Sequence, residues 1–185
     1  MKRRYLRGFF TTSIVAASLL TSSTAMAAVD MFLKMDGIKG ESTDKAHPGE
    51  MVVLAWSWGE STGTARVRRG TVAPACIQDL SLTKYVDSSS PQLIMDDILG
   101  TIVPTAVLTL RRSGDQPQEF LHITMRNVIV ASYQTGGSAG EDRIVDNIVL
   151  HFESMQGDYR QQKPDGTLGT PILFEIANTS SRGCQ

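Results

Sequence analysis

The sequence predicts a mainly β protein, a two-sheet β-barrel or orthogonal sandwich with one short flanking α-helix. Three observations point there. Apolar side chains alternate with period two in five segments between residues 51 and 176, the pattern of half-buried strands. Glycine-bearing turns separate those segments, and one stretch alone carries helix punctuation. Many short strands with a single helix enclose a core either as a barrel or as two crossed sheets.

The first 27 residues stand apart from that domain. Lys2, Arg3, Arg4 and Arg7 form a basic start with no acidic residue nearby, an apolar run follows over Phe9–Leu20, and Ala25-Met26-Ala27 has the Ala-x-Ala form of a cleavage site. That order is the signature of a secretory signal peptide. The run is shorter than the roughly 20 residues of a membrane span. Arg7 occupies a place where a twin-arginine signal wants an apolar residue, and no cysteine marks a lipid anchor, so the expectation is a Sec-type signal over 1–27 and one domain over 28–185. Cleavage leaves 158 residues, enough for a proper core, with 14 basic against 19 acidic side chains and a net charge of −5. An acidic balance argues against nucleic acid, whose phosphates need clustered Lys and Arg. No later segment is more apolar than the first, so no stable membrane insertion is expected. The one basic cluster, Arg66-Val67-Arg68-Arg69, reads as a charged edge strand, a feature that discourages wrong pairing.

Along the domain, Val52, Leu54, Trp56 and Trp58 share one face of the first clear strand. Ala106, Leu108 and Leu110 alternate with Val107, Thr109 and Arg111. Leu121, Ile123 and Met125 set a phase that slips to Val128 and Val130, which predicts a bulge near Arg126-Asn127 or burial on both faces. Ile148, Leu150 and Phe152 form another strand, and Ile172, Phe174 and Ile176 a last one. Ser89-Ser90-Pro91 followed by Gln92–Leu99 and Gly100 reads as a short helix, with serine as cap, proline in the first turn and glycine as the stop. Leu93, Ile94 and Ile98 would pack it on the sheet. The polar stretch from Asp36 to Glu50 is long for a compact domain, which marks it as functional or mobile.

Candidate chemistry is thin. Gly136-Gly137-Ser138-Ala139-Gly140 matches the G-x-S-x-G nucleophile elbow, with Asp142, Asp146 and His151 following in order. The elbow requires a strand, a sharp turn and a helix, whereas Ile144–Phe152 alternates as a strand, so a glycine-rich β-turn is the better reading. His47, His122 and His151 lie on a loop and two strands without metal-ligand spacing. Neighbouring Asp96 and Asp97 point in different directions on a helix. No phosphate loop or dinucleotide fingerprint is present. No catalytic residue, metal or cofactor is therefore expected. The two cysteines, Cys76 and Cys184, leave two readings open: a disulfide closing a loop of about a hundred residues, worth up to ~4–5 kcal/mol, or a buried small residue and a terminal thiol.

A family resemblance spans nearly all of 28–185. Val29-Asp30-Met31-Phe32-Leu33-Lys34-Met35-Asp36-Gly37-Ile38-Lys39-Gly40-Glu41-Ser42 resembles the opening of the Hcp family, the haemolysin-coregulated tube proteins of type VI secretion systems. Trp56-Ser57-Trp58-Gly59 is similar to its next strand. Gln78–Asp87 with Ser90-Pro91 resembles its passage from strand to helix, and Tyr133-Gln134-Thr135-Gly136-Gly137-Ser138 its glycine turn. The resemblance implies a non-enzymatic two-sheet barrel that assembles as a hexameric ring. It further implies that rings stack into the inner tube of an injection machine and that the lumen takes small effectors. Self, with secretion-system tip, sheath or effector proteins, would be the partners. By the same analogy the Asp36–Glu50 loop reaches the next ring through Glu41, Lys45 and His47. An export signal sits awkwardly on a tube protein loaded from the cytoplasm. Either the chain is an exported relative, periplasmic or extracellular, or translation starts at Met26, giving Met-Ala-Ala-Val-Asp-Met. The alternative is an exported monomeric β-barrel binding or adhesion module that shares only the fold.

Overall fold

The computed structural model describes residues 28–62, 75–114, 116–140, 142–163 and 165–178. In chain order the elements are β1 (Val29–Met35), β2 (Met51–Ser57), β3 (Glu60–Thr62), β4 (Ala75–Ile77), β5 (Leu80–Tyr85), α1 (Ser90–Leu99), β6 (Ile102–Arg112), β7 (Gln118–Gly136), β8 (Val145–His151), β9 (Ser154–Tyr159) and β10 (Ile172–Ala177). The expected class is what forms. Strands β7, β6, β1, β2, β5 and β8 pair in that order, and β8 pairs back onto β7, closing a six-stranded antiparallel barrel. Closure removes the free edges that an open sheet would leave. β9 and β10 extend outward from β7, and β3–β4 is a separate hairpin.

β7 makes the closure possible because it belongs to two sheets. Its first part pairs with β9, from Leu121↔Tyr159 to Arg126↔Ser154, and its second with β8, from Ile129↔His151 to Gly136↔Val145. The exchange occurs at Asn127, whose φ of 48° lies in the left-handed region that asparagine visits more readily than most residues. Its Nδ2 donates to Glu153 Oε2 at 2.6 Å, and Glu153 N donates to the Arg126 carbonyl at 3.1 Å. Inward residues change phase along this line on β7, Met125 to Val128, and on β6, Val103 to Ala106, and again between β8 and β9, Phe152 to Met155. The slip seen in the sequence is thus a corner. The ladder to β6 keeps its register across it (Val103↔Val128, Thr105↔Arg126), and the bulge against β8 comes later, between Val130 and Ser132.

Leu33, Met51, Leu80, Leu108, Met125, Val128, Ile148 and Leu150 fill the barrel, with Leu93 and Phe152 added to the same core. Each such side chain contributes about 1.5–3 kcal/mol on burial. Four expectations need correction. On β2 the inward residues are Met51 and Val53, while Val52 and Leu54 face outward; a bulge between Val53 and Ala55 then turns Trp56 back toward the core. On α1 the inward residues are Ser90, Leu93 and Asp96, so Ile94 and Ile98 do not pack on the barrel. Pro91 and the left-handed Gly100 bound the helix as expected, but Ser89 makes no side-chain cap bond. The last strand forms, yet Ile172, Leu173 and Phe174 are exposed because β10 pairs with β9 outside the closed barrel.

Candidate functional site

The 36–50 loop is folded back over the barrel wall. Gly40 N donates to the Gly49 carbonyl at 2.9 Å, Ser42 N to Glu50 at 2.9 Å and Gly49 N to Ser42 at 2.8 Å. A Cβ on Gly40 would stand 2.5 Å from the Glu50 carbonyl oxygen, so the two runs can approach this closely only with glycine there. Asp44 accepts a two-point contact from Arg111, Nη1 at 2.9 Å and Nη2 at 2.7 Å, and Nη2 also reaches Asp30 at 3.0 Å. The Arg111 hydrogen bonds, aided by the backbone N–H groups of Ala46 and His47, hold the Asp44 carboxyl far below the usual carboxylate range. The same pairing raises the guanidinium above its ordinary value. Phe32 lies between Arg111, 4.9 Å away, and the His47 ring, stacked at 4.3 Å. His47 Nδ1 is 3.0 Å from Glu50 Oε2, and Nε2 is 3.2 Å from Glu119 Oε1.

A second anchor fixes the helix. Lys84 on β5 and Asp146 on β8 are both 0 % exposed and lie 3.1 Å apart. Lys84 Nζ also donates to Asp87 Oδ1 at 2.8 Å, the Tyr85 carbonyl at 2.9 Å and Ser90 Oγ at 3.0 Å. Ser90 Oγ in turn donates to Asp146 Oδ2 and accepts from Asp87 N. All the bonding capacity of one hydroxyl at the first residue of α1 is therefore used to tie the helix to two strands. Burial drives the Asp146 carboxyl up, but hydrogen bonds from Ser90, Tyr133, Lys84 and Thr135 outweigh it and keep the group below its ordinary value. Burial beside that carboxylate pushes the Tyr133 hydroxyl up to about 12.

What these anchors present outward is apolar. Ile94, Met95, Ile98 and Leu99 on α1, with Ile102 just beyond, are exposed; on β10 Ile172 and Phe174 are exposed on one face of the strand and Leu173 on the other. Exposed apolar residues gathered in this way mark interaction sites. Between the 36–50 loop, the β5–α1 turn and the β7–β8 turn lies a groove of about 560 Å³, with Val52, Val86 and Ile144 in its lining and Glu41, Asp87 and Asp142 among its acids. Arg143 there lies 4.7 Å over the Tyr85 ring.

Of the stacking candidates, Glu41 and Lys45 are exposed while His47 is buried. Glu41 Oε1 accepts from Ser88 N at 2.9 Å, joining the loop to the α1 turn. Cys76 sits on β4 and is not a free thiol; Cys184 lies outside the described residues, as do Arg66, Arg68, Arg69 and the whole of 1–27. Ser138 stands in a strand–turn–strand hairpin. His151 is at the other end of β8, paired with Asp79 at 2.8 Å, so it does not reach Ser138. Among the described residues no His, Cys, Asp or Glu group fits a metal ion, and no helix is long and apolar enough to cross a membrane. The Lys84–Asp146 pair was missed, although both residues continue the inward phase of their strands.

Comparisons with known proteins agree on one family. The family model described as type VI secretion system effector, Hcp, matches residues 32–159. Protein hcp1 of Pseudomonas aeruginosa is 48% identical over 151 residues, covering 80% of this chain and 93% of that protein. The crystal structure of Hcp1 from Salmonella typhimurium superposes with a TM-score of 0.67 at 30% identity, over 85% of this chain and 99% of that one. A type VI secretion system effector from Yersinia pestis does so at 0.67 and 32%, over 80% and 99%. With the barrel, the pinned helix and the glycine turn all in place, the chain belongs to the Hcp family of type VI secretion system proteins.

Proposed function

We propose that the chain is a non-enzymatic structural subunit that closes into a ring of six, that rings stack into a tube, and that the lumen holds effector cargo. The observation that carries this is the pair of unlike apolar surfaces, on α1 with Ile102 and on β10, borne by one rigid barrel. A cyclic ring reuses a single heterologous contact and so needs two different, complementary patches on each copy. Glu41 and Lys45 offer the polar side of the 36–50 loop to the next ring, with His47 bracing the loop from beneath. Tip and sheath proteins of the secretion machine are the further partners in this reading.

Residues 1–27 are proposed as a cleaved export signal, with a Met26 start as the competing origin of the same domain. Cys76 and Cys184 are proposed to pair in the oxidising compartment that export implies. N-terminal sequencing of the native protein, fraction by fraction, separates the two starts: Ala28 outside the cytoplasm supports export, and a terminus derived from Met26 inside it removes the signal. Size-exclusion chromatography with light scattering tests the assembly. Six chains per particle is the expected result; a strict monomer at high concentration overturns the ring and leaves a monomeric binding module.

A further inference from the structure

We propose that His47 is a proton-operated latch on the 36–50 loop, holding it against the barrel while the ring is charged and loosening it when the ring loses its proton. The geometry asks for the charge. Nδ1 of His47 lies 3.0 Å from Glu50 Oε2 and Nε2 lies 3.2 Å from Glu119 Oε1, so each ring nitrogen faces a carboxylate oxygen. A neutral imidazole has one N–H and one lone pair, and an ionised carboxylate only accepts. A neutral His47 would therefore turn its lone pair on one of the two carboxylates, in a side chain only 8 % exposed. An imidazolium attracts both. Nε2 is buried and makes no aligned hydrogen bond, so only charge draws it to Glu119.

The elements packed around the ring favour the proton. The loop itself supplies Glu50 and Asp44, whose Oδ1 accepts from His47 N at 3.2 Å. β1 supplies the Phe32 ring stacked on the imidazole, with Asp30 nearby on the same strand. β6 supplies Arg111, over Phe32 and bonded to Asp30 and Asp44. β7 supplies Glu119, whose second oxygen is 3.2 Å from His122 Nε2. Arg160, just past β9, feels the same Glu119 charge but is paired with Asp158 at 3.0 Å. Asp30, Asp44, Glu50 and Glu119 are thus set against two permanent cations, and a proton on His47 moves the balance toward neutrality. The Arg111–Asp44 pair does not compete as a switch, because each partner holds the other's charge far from neutral pH. Closure that takes up a proton is favoured in acid and weakens as pH rises through the histidine range, ordinarily about pH 6.5. Glu41 and Ser42 on this loop line the groove beside the α1 turn, and Glu41 accepts from Ser88 N. Loosening the loop therefore alters the face offered to the next ring. That consequence rests on the stacking reading above; the latch does not, since every group in it belongs to one chain.

Hydrogen exchange on the full chain, read by mass spectrometry and corrected for the intrinsic pH dependence of amide exchange, tests the latch at about pH 5.5 and about pH 8, on either side of the ordinary histidine value. The amides of Gly40, Ser42, Gly49 and Glu50 are the reporters, because their bonds hold the folded-back loop together. In wild type their protection should fall roughly tenfold or more between the two conditions, while protection of the β7–β8 ladder stays constant. His47→Phe keeps a ring on Phe32 but carries no charge, and should show low protection at both. Glu119→Gln alters a side chain 35 % exposed, so the fold is retained, and it should lose most of the pH response; His122→Gln should keep it. Equal wild-type protection in both conditions overturns the latch, as does a response that survives His47→Phe or Glu119→Gln, or one that vanishes in His122→Gln. Light scattering on the same samples reads assembly separately. Single chains with the full response remove the stacking consequence and leave the latch standing, whereas six-chain particles without the response do the reverse.

Discussion

Lys84 and Asp146 depend on each other because neither touches water. Removing Lys84 leaves the Asp146 carboxylate uncompensated in the barrel wall, a change that costs about 3–5 kcal/mol, whereas removing Asp146 leaves Lys84 paired with Asp87 and costs less. Lys84→Met should therefore lower the stability read by chemical denaturation by that order and Asp146→Asn by less, and the double variant should lose less than the sum of the two. Additive losses would show that the pair is not coupled. This pair was legible: Lys84 follows Leu80 and Leu82 on the inward phase of β5, and Asp146 precedes Ile148 and Leu150 on that of β8. A charge on a core phase announces a buried partner. The Arg111–Asp44 contact was not legible, because its members lie 67 residues apart and meet only when the 36–50 loop folds back. For the same reason the 36–50 loop, which reads as functional or mobile, is pinned, and His47, a stacking candidate in the sequence, is buried and stacks on Phe32.

At the scale of the element, β9 and β10 show what a single missing Cβ permits. A Cβ on Gly157 would stand 1.9 Å from the Phe174 ring, which lies directly across from it in the ladder. Gly157→Ala should displace that ring and destabilise the β9–β10 arm by about 1–3 kcal/mol, seen as a lower unfolding midpoint; adding Phe174→Ala should recover part of the loss. If Gly157→Ala alone is neutral, the ring does not rest there. Strand existence was readable from period two, and the helix from Pro91 and Gly100. Which face turned inward was not always so. The bulge in β2 divides an apparently continuous apolar face. α1 is oriented by Ser90 and Asp96 as much as by Leu93, and hydrophobic spacing says nothing of a helix held by polar anchors.

For the molecule as a whole, the informative quantity is what the closed barrel leaves uncovered. Ile98 at 71 % and Ile172 at 63 % exposure gain little from folding in a lone chain, so the reason for their being apolar lies outside it. Ile98→Glu and Ile172→Glu should each reduce the ring to single chains in light scattering while the strand-rich circular dichroism spectrum is unchanged. Retention of six-chain particles by both would move the ring contact elsewhere. Sequence alone gave the family through short motifs, and several of them now have physical meaning. The Leu80–Asp87 and Ser90-Pro91 segments carry Lys84 and the Ser90 hydroxyl that tie helix to barrel, and Tyr133 closes over Asp146.

The corner at Asn127 has a mechanical consequence. β7 is one continuous strand of 19 residues, bonded to β6 on both sides of the corner, to β9 before it and to β8 after it. A pull along its length loads the ladders on both flanks in shear, so many hydrogen bonds must yield together. A pull across β10 meets only the ladder to β9, which opens one pair at a time. The barrel is thus stiff along one direction and has a weak seam in another. A subunit driven forward under force would keep its shape if β7 lay along the thrust, and the arm that peels first is the one proposed to be clamped by a neighbour.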